Sequence, residues 1–214
     1  MRLCNIMAAP CVALFLTAPL CAVAQDAPSP PIVGPAITSI LQVQTNATNL
    51  ATADSTRENM LTIPPVFPTT DNIRMASDAS GWKCANADSD STAAIAEYIR
   101  PPDSLDNWTE MVTILHLKDI EMTVEQFVGV QKETLLEQSP STKWTTHNIS
   151  SDSALFEWHH PQEGGEDAQY EIARVIQRPS GIYRFSFVVK NDNPASALIQ
   201  TWRSILSSVD VSKK

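Results

Sequence analysis

The sequence predicts an α+β domain in which helices pack on a central antiparallel sheet of about six to seven strands. Three observations lead there. From about Gly81 onward, short runs of β-branched and aromatic residues alternate with polar turns. Most consecutive strand-like runs are separated by only a few residues, which favours antiparallel neighbours over crossover connections. Only two segments of this region, after Thr123 and after Asn193, carry apolar residues at clear helical spacing.

Trp82 to Ala87 and Thr92 to Ile99 read as two strands joined by the polar turn Asp88-Ser89-Asp90-Ser91, and Pro101-Pro102 ends the second. Ser104 to Trp108 reads as one helical turn that delivers Trp108 to the core. Glu110 to Leu117 is apolar on both faces, as expected of a central strand covered on two sides. Thr123-Val124-Glu125-Gln126 is a capping box, with Met122 placed to staple onto Phe127. Val124, Phe127, Val128 and Leu135 then form one apolar face, and Pro140 closes the helix. Four strands follow: Trp144 to Ile149, Ala154 to His160, Gln169 to Gln177 and Ile182 to Lys190. The last two are joined by the tight turn Arg178-Pro179-Ser180-Gly181. In the final strand Tyr183, Phe185, Phe187 and Val189 share one side, with Arg184, Ser186 and Lys190 on the other. Asn193 as N-cap and Pro194 at the first helical position open the last helix, whose apolar spacing runs from Ala195 to Val209.

The region before Gly81 reads differently. Arg2, the apolar stretch Ile6 to Leu20 and the small-x-small triplet Ala22-Val23-Ala24 form a signal peptide over residues 1–24, with cleavage near Ala24. The apolar stretch is too short, and too broken by Pro10 and Pro19, to span a membrane. A lipoprotein cleavage before Cys21 is disfavoured because Leu20, not a small residue, directly precedes it. No later segment reaches spanning length, so the mature chain is expected to be periplasmic or secreted and soluble. Residues 25–78 are rich in Pro, Ala and Thr and are expected to be a flexible arm, with at most a weak helix between Ala36 and Asp54. The folded domain is expected over residues 79–211.

Cleavage leaves Cys84 as the one cysteine of the mature chain, so no internal disulfide holds the fold. A half-buried strand cysteine behaving as a small hydrophobe is the expected role, with a reactive thiol as the alternative. Removing residues 1–24 takes away Arg2 and no acid, so the net charge goes from −9 to −10. An acidic chain without a basic stripe argues against nucleic acid and against anionic membrane surfaces as partners.

The stretches Ala96-Glu97-Tyr98-Ile99-Arg100-Pro101-Pro102, Leu105-Asp106-Asn107-Trp108-Thr109-Glu110-Met111-Val112-Thr113 and Trp202-Arg203-Ser204-Ile205-Leu206 carry a resemblance. In this arrangement the domain resembles the PsbP/Mog1/DcrB-like proteins, over about residues 81 to 210. The resemblance implies an α/β/α sandwich around an antiparallel sheet, used as an accessory or binding domain and usually without catalysis. It carries over no active-site residues, because the family shares no catalytic motif.

The residues themselves offer little chemistry. Glu157-Trp158-His159-His160, followed by the acidic loop at 163–167, is the most suggestive cluster. On a strand, Glu157 and His159 share one face and His160 takes the other, which makes these three weak candidates for a divalent metal. No established metal spacing is matched. His116 and His147 are expected at core or edge positions. Gly-x-Ser-x-Gly, Ser-x-x-Lys, Cys-x-x-Cys, phosphate-loop and dinucleotide motifs are all missing, so no catalytic residue and no cofactor is assigned. The five tryptophans are expected in the core, unless one or two form an exposed protein-binding patch. Arg174 and Arg184 either face each other across the last hairpin as an anion site or, the favoured expectation, pair with Glu157, Glu171 or Glu97 on the sheet surface. The sequence-level expectation is a non-catalytic accessory protein that binds another envelope protein. The alternatives are a small-ligand or metal-binding domain using the Glu157–His160 region and, third, a hydrolase.

Overall fold

The computed structural model describes residues 59–78, 81–163 and 167–213. The expected signal peptide over residues 1–24 and the part of the expected arm up to residue 58 lie outside the described residues. In chain order the elements are β1 (Asp71–Arg74), β2 (Lys83–Ser89), β3 (Ala93–Ile99), β4 (Glu110–Lys118), α1 (Val124–Gln138), β5 (Lys143–Ile149), β6 (Ser153–His160), β7 (Gln169–Arg178), β8 (Gly181–Val189), α2 (Ser196–Ser207) and β9 (Asp210–Lys213). Seven of the strands form one sheet in the order β2-β3-β4-β8-β7-β6-β5, antiparallel throughout. β1 and β9 form a separate two-stranded ribbon. Among the described residues, no helix is long and apolar enough to cross a membrane.

The order follows from chain economy. The meanders β2-β3-β4 and β5-β6-β7-β8 are each built from short connections, and α1 carries the chain across one face of the sheet from the first to the far end of the second. The two meanders then close on each other through the β4–β8 pair, from Glu110 opposite Val189 to Lys118 opposite Gly181. β8 is buried along its whole length and β4 nearly so, as the double-sided apolar pattern of β4 predicts.

Each face has its own core. α1 lays Val124, Phe127 and Val128 on Ala154, Phe156, Trp158, Ala173, Val175 and Ile182. On the opposite face Ile199, Trp202 and Leu206 of α2 pack against Tyr98, Ile172, Phe185 and Phe187. Trp202 is fully buried, stacked on Phe187 at 4.3 Å between ring centroids, with Trp82 edge-on at 5.4 Å. A smaller cluster of Ile99, Trp108, Met111 and Val188 closes one end of the α1 face. The expected sandwich of helix, sheet and helix is therefore present.

Four expectations need correction. Residues 59–78, assigned to the arm, pack on the α2 face, where Leu61, Phe67 and Met75 are buried. Three prolines hid this strap, since they forbid a regular element but not apolar contact. The β1–β9 ribbon was not foreseen either, because four-residue strands carry too little alternation to read. The segment at Ser104–Trp108 is one tight turn, Leu105-Asp106, closed by a bridge between Ser104 and Asn107, not a helical turn. Lastly, α2 starts at Ser196 and Ala195 takes the cap position without a side-chain hydrogen bond. The Asn193 amide instead binds the side chain of Asn191, and that turn, with Pro194, carries the chain from β8 onto the sheet face.

Candidate functional site

α2 packs over β7 and β8 and leaves edge strand β5 uncovered, with β6 only partly covered. The space between the helix and these outer strands is a groove of about 450 Å³, bordered by Lys143, Thr145, Glu157, His159, Tyr170 and Arg203 among others. β5 is an edge strand whose residues are exposed apart from Trp144, and His147 forms a bulge in its pairing with β6.

The strand period places Glu157 and His159 on this face and His160 on the other, as their spacing predicts. The three do not converge. Glu157 accepts from Arg203 Nη2 at 2.7 Å and lies 2.9 Å from His147 Nε2. Burial by itself would raise the Glu157 carboxyl, but hydrogen bonds from Arg203, His147 and Tyr170 outweigh it and hold the carboxyl below its ordinary range. The Tyr170 phenol is pushed up to about 12, first by burial and then by its bond to Glu157. His159 Nε2 sits 3.1 Å from Asp192 Oδ1. His160 is buried against Thr142 on the α1 face, its Nδ1 3.3 Å from the Thr142 hydroxyl. Among the described residues no group of three or more His, Cys, Asp or Glu side chains is arranged to hold a metal ion. Of the acidic loop, Glu163 accepts from Ser141, and residues 164–166 lie outside the described residues.

The remaining polar candidates are built into the frame. His116 is buried and stacked on Tyr183 at 4.1 Å, with Nε2 2.8 Å from the Ser180 carbonyl. Ser180 and Tyr183 both donate to Asp71, which ties the strap to the β7–β8 hairpin. Serine, histidine and aspartate are thus near one another, but the serine hydroxyl donates to the aspartate and not to the imidazole, so the serine–histidine contact of a hydrolytic triad is not made.

Arg174 and Arg184, expected either to face each other or to pair with Glu157, Glu171 or Glu97 on the sheet surface, lie on opposite sheet faces, because Arg184 pairs in register with Val175 and Arg174 with Phe185. Arg184 makes an ion pair with Glu171, one of the partners proposed for it, but within the interior rather than on the surface. Arg174 donates to the Ser207 carbonyl at the end of α2. Cys84 is exposed on edge strand β2, rather than half-buried, and its thiol donates to the Asn86 carbonyl at 3.3 Å. Trp108, Trp158 and Trp202 are buried, and Trp82 and Trp144 are partly buried against the core, so none supplies an exposed patch.

The groove is the feature that sequence reasoning missed. Its walls come from segments far apart in the chain, Glu157 and Arg203 being 46 residues apart. The signal that was available is the run of polar residues on β5, too hydrophilic for a covered strand. Comparison with known proteins adds the following. A protein-family model matches residues 80–207. No curated protein matches the chain. Among solved structures, a mutant of protein Mog1 aligns at 12% identity over 63% of this chain and 80% of its own, with a TM-score of 0.39.

Proposed function

Because the chain belongs to the family whose model spans residues 80–207, we propose that it is a non-catalytic accessory module that binds another envelope protein through the groove beside α2. One observation carries this reading. The groove is an open part of the α2 face of the sheet, and its two carboxylates are already engaged, Glu157 by Arg203 and His147 and Asp192 by His159. Location in the envelope is part of the proposal and rests on the export signal at residues 1–24. The metal-binding alternative has less support, because Arg203 and His147 already occupy the Glu157 carboxylate and His160 faces away.

The test is a photo-crosslinking side chain placed at Thr145 in the groove and, separately, at exposed Lys132 on the opposite side of the molecule. The expected result is one discrete crosslinked protein from Thr145 and none from Lys132 in the native envelope. Equal capture from both positions, or none from either, overturns the assignment of the groove.

A further inference from the structure

Glu97 is a buried carboxyl group with no cation paired to it. It lies on β3 with none of its surface exposed, on the α1 side of the sheet, since its neighbour Tyr98 belongs to the core under α2. The Asn86 side chain on β2 donates to Oε2 at 2.9 Å, and Oε1 has no partner among the described residues. The charged groups of the surrounding elements are engaged elsewhere or turned outward. On β2, Lys83, Cys84 and Asp88 are exposed. β4 carries Glu110 and Lys118 at its two ends, the first paired with Arg100 and the second bonded to the Asp90 carbonyl. Arg184, the buried cation of β8, is taken up by Glu171 and Ser186, and Lys190 beyond it lies over the Trp108 ring. α1 turns Glu125, Lys132, Glu133 and Glu137 to solvent, and its one buried polar side chain is Gln131.

An ionised carboxylate is strongly disfavoured in such a place, because one amide does not replace the water it has lost. The neutral acid avoids that cost. Burial therefore raises the Glu97 carboxyl above its ordinary 4.5, against the opposing pull of the Asn86 amide. Below pH 4.5 the folded and unfolded chains both hold this proton. Above 4.5 the unfolded chain gives it up while the folded chain keeps it, so stability falls as pH rises until the raised folded value is reached.

The shortest way to water runs through β2. That strand is outermost in the sheet and has a partner on one side only among the described residues. Its pairing with β3 shifts between Cys84 and Asn86, so the irregularity sits beside the residue that covers Glu97. Its side chains add little hold, since only Ala85 and Asn86 are partly buried. We propose that Glu97 is a proton-operated latch for this edge: the neutral acid rests beneath β2, and when its proton leaves to solvent the carboxylate reaches water by lifting β2 from β3. The latch is at the opposite edge of the sheet from the groove and does not depend on the binding reading.

Amide hydrogen exchange of the full chain between about pH 5 and 8, corrected for the intrinsic rate at each pH, tests the latch in the wild type and in Glu97→Gln. The β2 amides bonded to β3 are expected to exchange faster than those of β8 and to lose protection by up to about tenfold per pH unit as pH rises. Glu97→Gln is neutral at every pH and should keep β2 protection that does not change with pH. Constant β2 protection in the wild type, an equal slope in the variant, or β2 exchanging only together with β8 each overturns the proposal. Carbon-detected NMR of the wild-type Glu97 carboxyl decides the matter without the variant. An inflection above the ordinary 4.5 is expected, and one at or below it overturns the latch.

Discussion

His116 shows how one buried residue sets a pH dependence. Its Nε2 meets the Ser180 carbonyl, which only accepts, so Nε2 carries the proton and Nδ1 is left as a buried lone pair without a partner. A second proton would have to sit on Nδ1, where nothing accepts it. Burial lowers the imidazole below its ordinary 6.5, against the opposing pull of the Ser180 carbonyl and of Asp71. The sign follows. Above pH 6.5 both folded and unfolded chains hold the ring neutral and nothing is lost. As pH falls below 6.5 the unfolded chain takes up a proton that the folded chain refuses, so stability falls until the lowered folded value is reached, by at most about 1.4 kcal/mol per pH unit. The Asp71 carboxyl, also lowered, adds its own loss only below its ordinary 3.8. Urea unfolding of the wild-type chain and of His116→Phe between pH 7.5 and 4.5 is expected to show a steeper acid loss in the wild type. Parallel curves would remove His116 as the cause. The same residue was visible in the sequence only as a histidine on an apolar strand, because the stacking Tyr183 and the carbonyl of Ser180 come from a distant hairpin.

At the scale of elements, the two helices differ in how well their starts are satisfied. α1 begins with a complete capping box: Thr123 accepts from the Gln126 amide and Gln126 accepts from the Thr123 amide. α2 begins at Ala195, which can accept nothing through its side chain. Thr123→Ala should therefore cost about 1 kcal/mol, and Ala195→Ser should add up to about 1 kcal/mol, both read from denaturant midpoints. A neutral Thr123→Ala would mean that α1 is held by its apolar face alone. This asymmetry also bounds what the sequence could reveal. The start of α1 was legible because a capping box is a local signal of four residues. The start of α2 was misplaced because Asn191, Asn193 and Pro194 form an equally local but competing turn, and only the path from β8 to the sheet face decides between them. The long strands were legible within a residue or two, since eight or so residues of alternation outlast chance. β1 and β9 were not, since their pairing joins residues at opposite ends of the domain.

At the scale of the whole molecule, the boundary of the folded unit is the largest departure from the sequence reading, and it has an energetic consequence. A helix-on-sheet domain over residues 79–211 is self-sufficient in sequence terms, but the structure gives part of its α2 face to the strap. Phe67, Leu61 and Met75 fill positions against a core that includes Tyr98 and Trp202, the Tyr98 hydroxyl donates to the Thr62 carbonyl, and Asp78 receives both Arg100 and the Trp82 indole. The ribbon of β1 with β9 and the bonds from Ser180 and Tyr183 to Asp71 hold the other end. Burial of three large apolar side chains contributes about 1.5–3 kcal/mol each before the entropy of ordering the strap is subtracted. A chain starting at residue 79 is therefore expected to be less stable than one starting at residue 59 by about 3 kcal/mol or more, to have a smaller denaturant slope and to bind a hydrophobic dye. Phe67→Ala in the full chain should reproduce much of the loss, about 3 kcal/mol. Equal midpoints and slopes for the two truncated chains would show that the strap lies on the domain without supporting it.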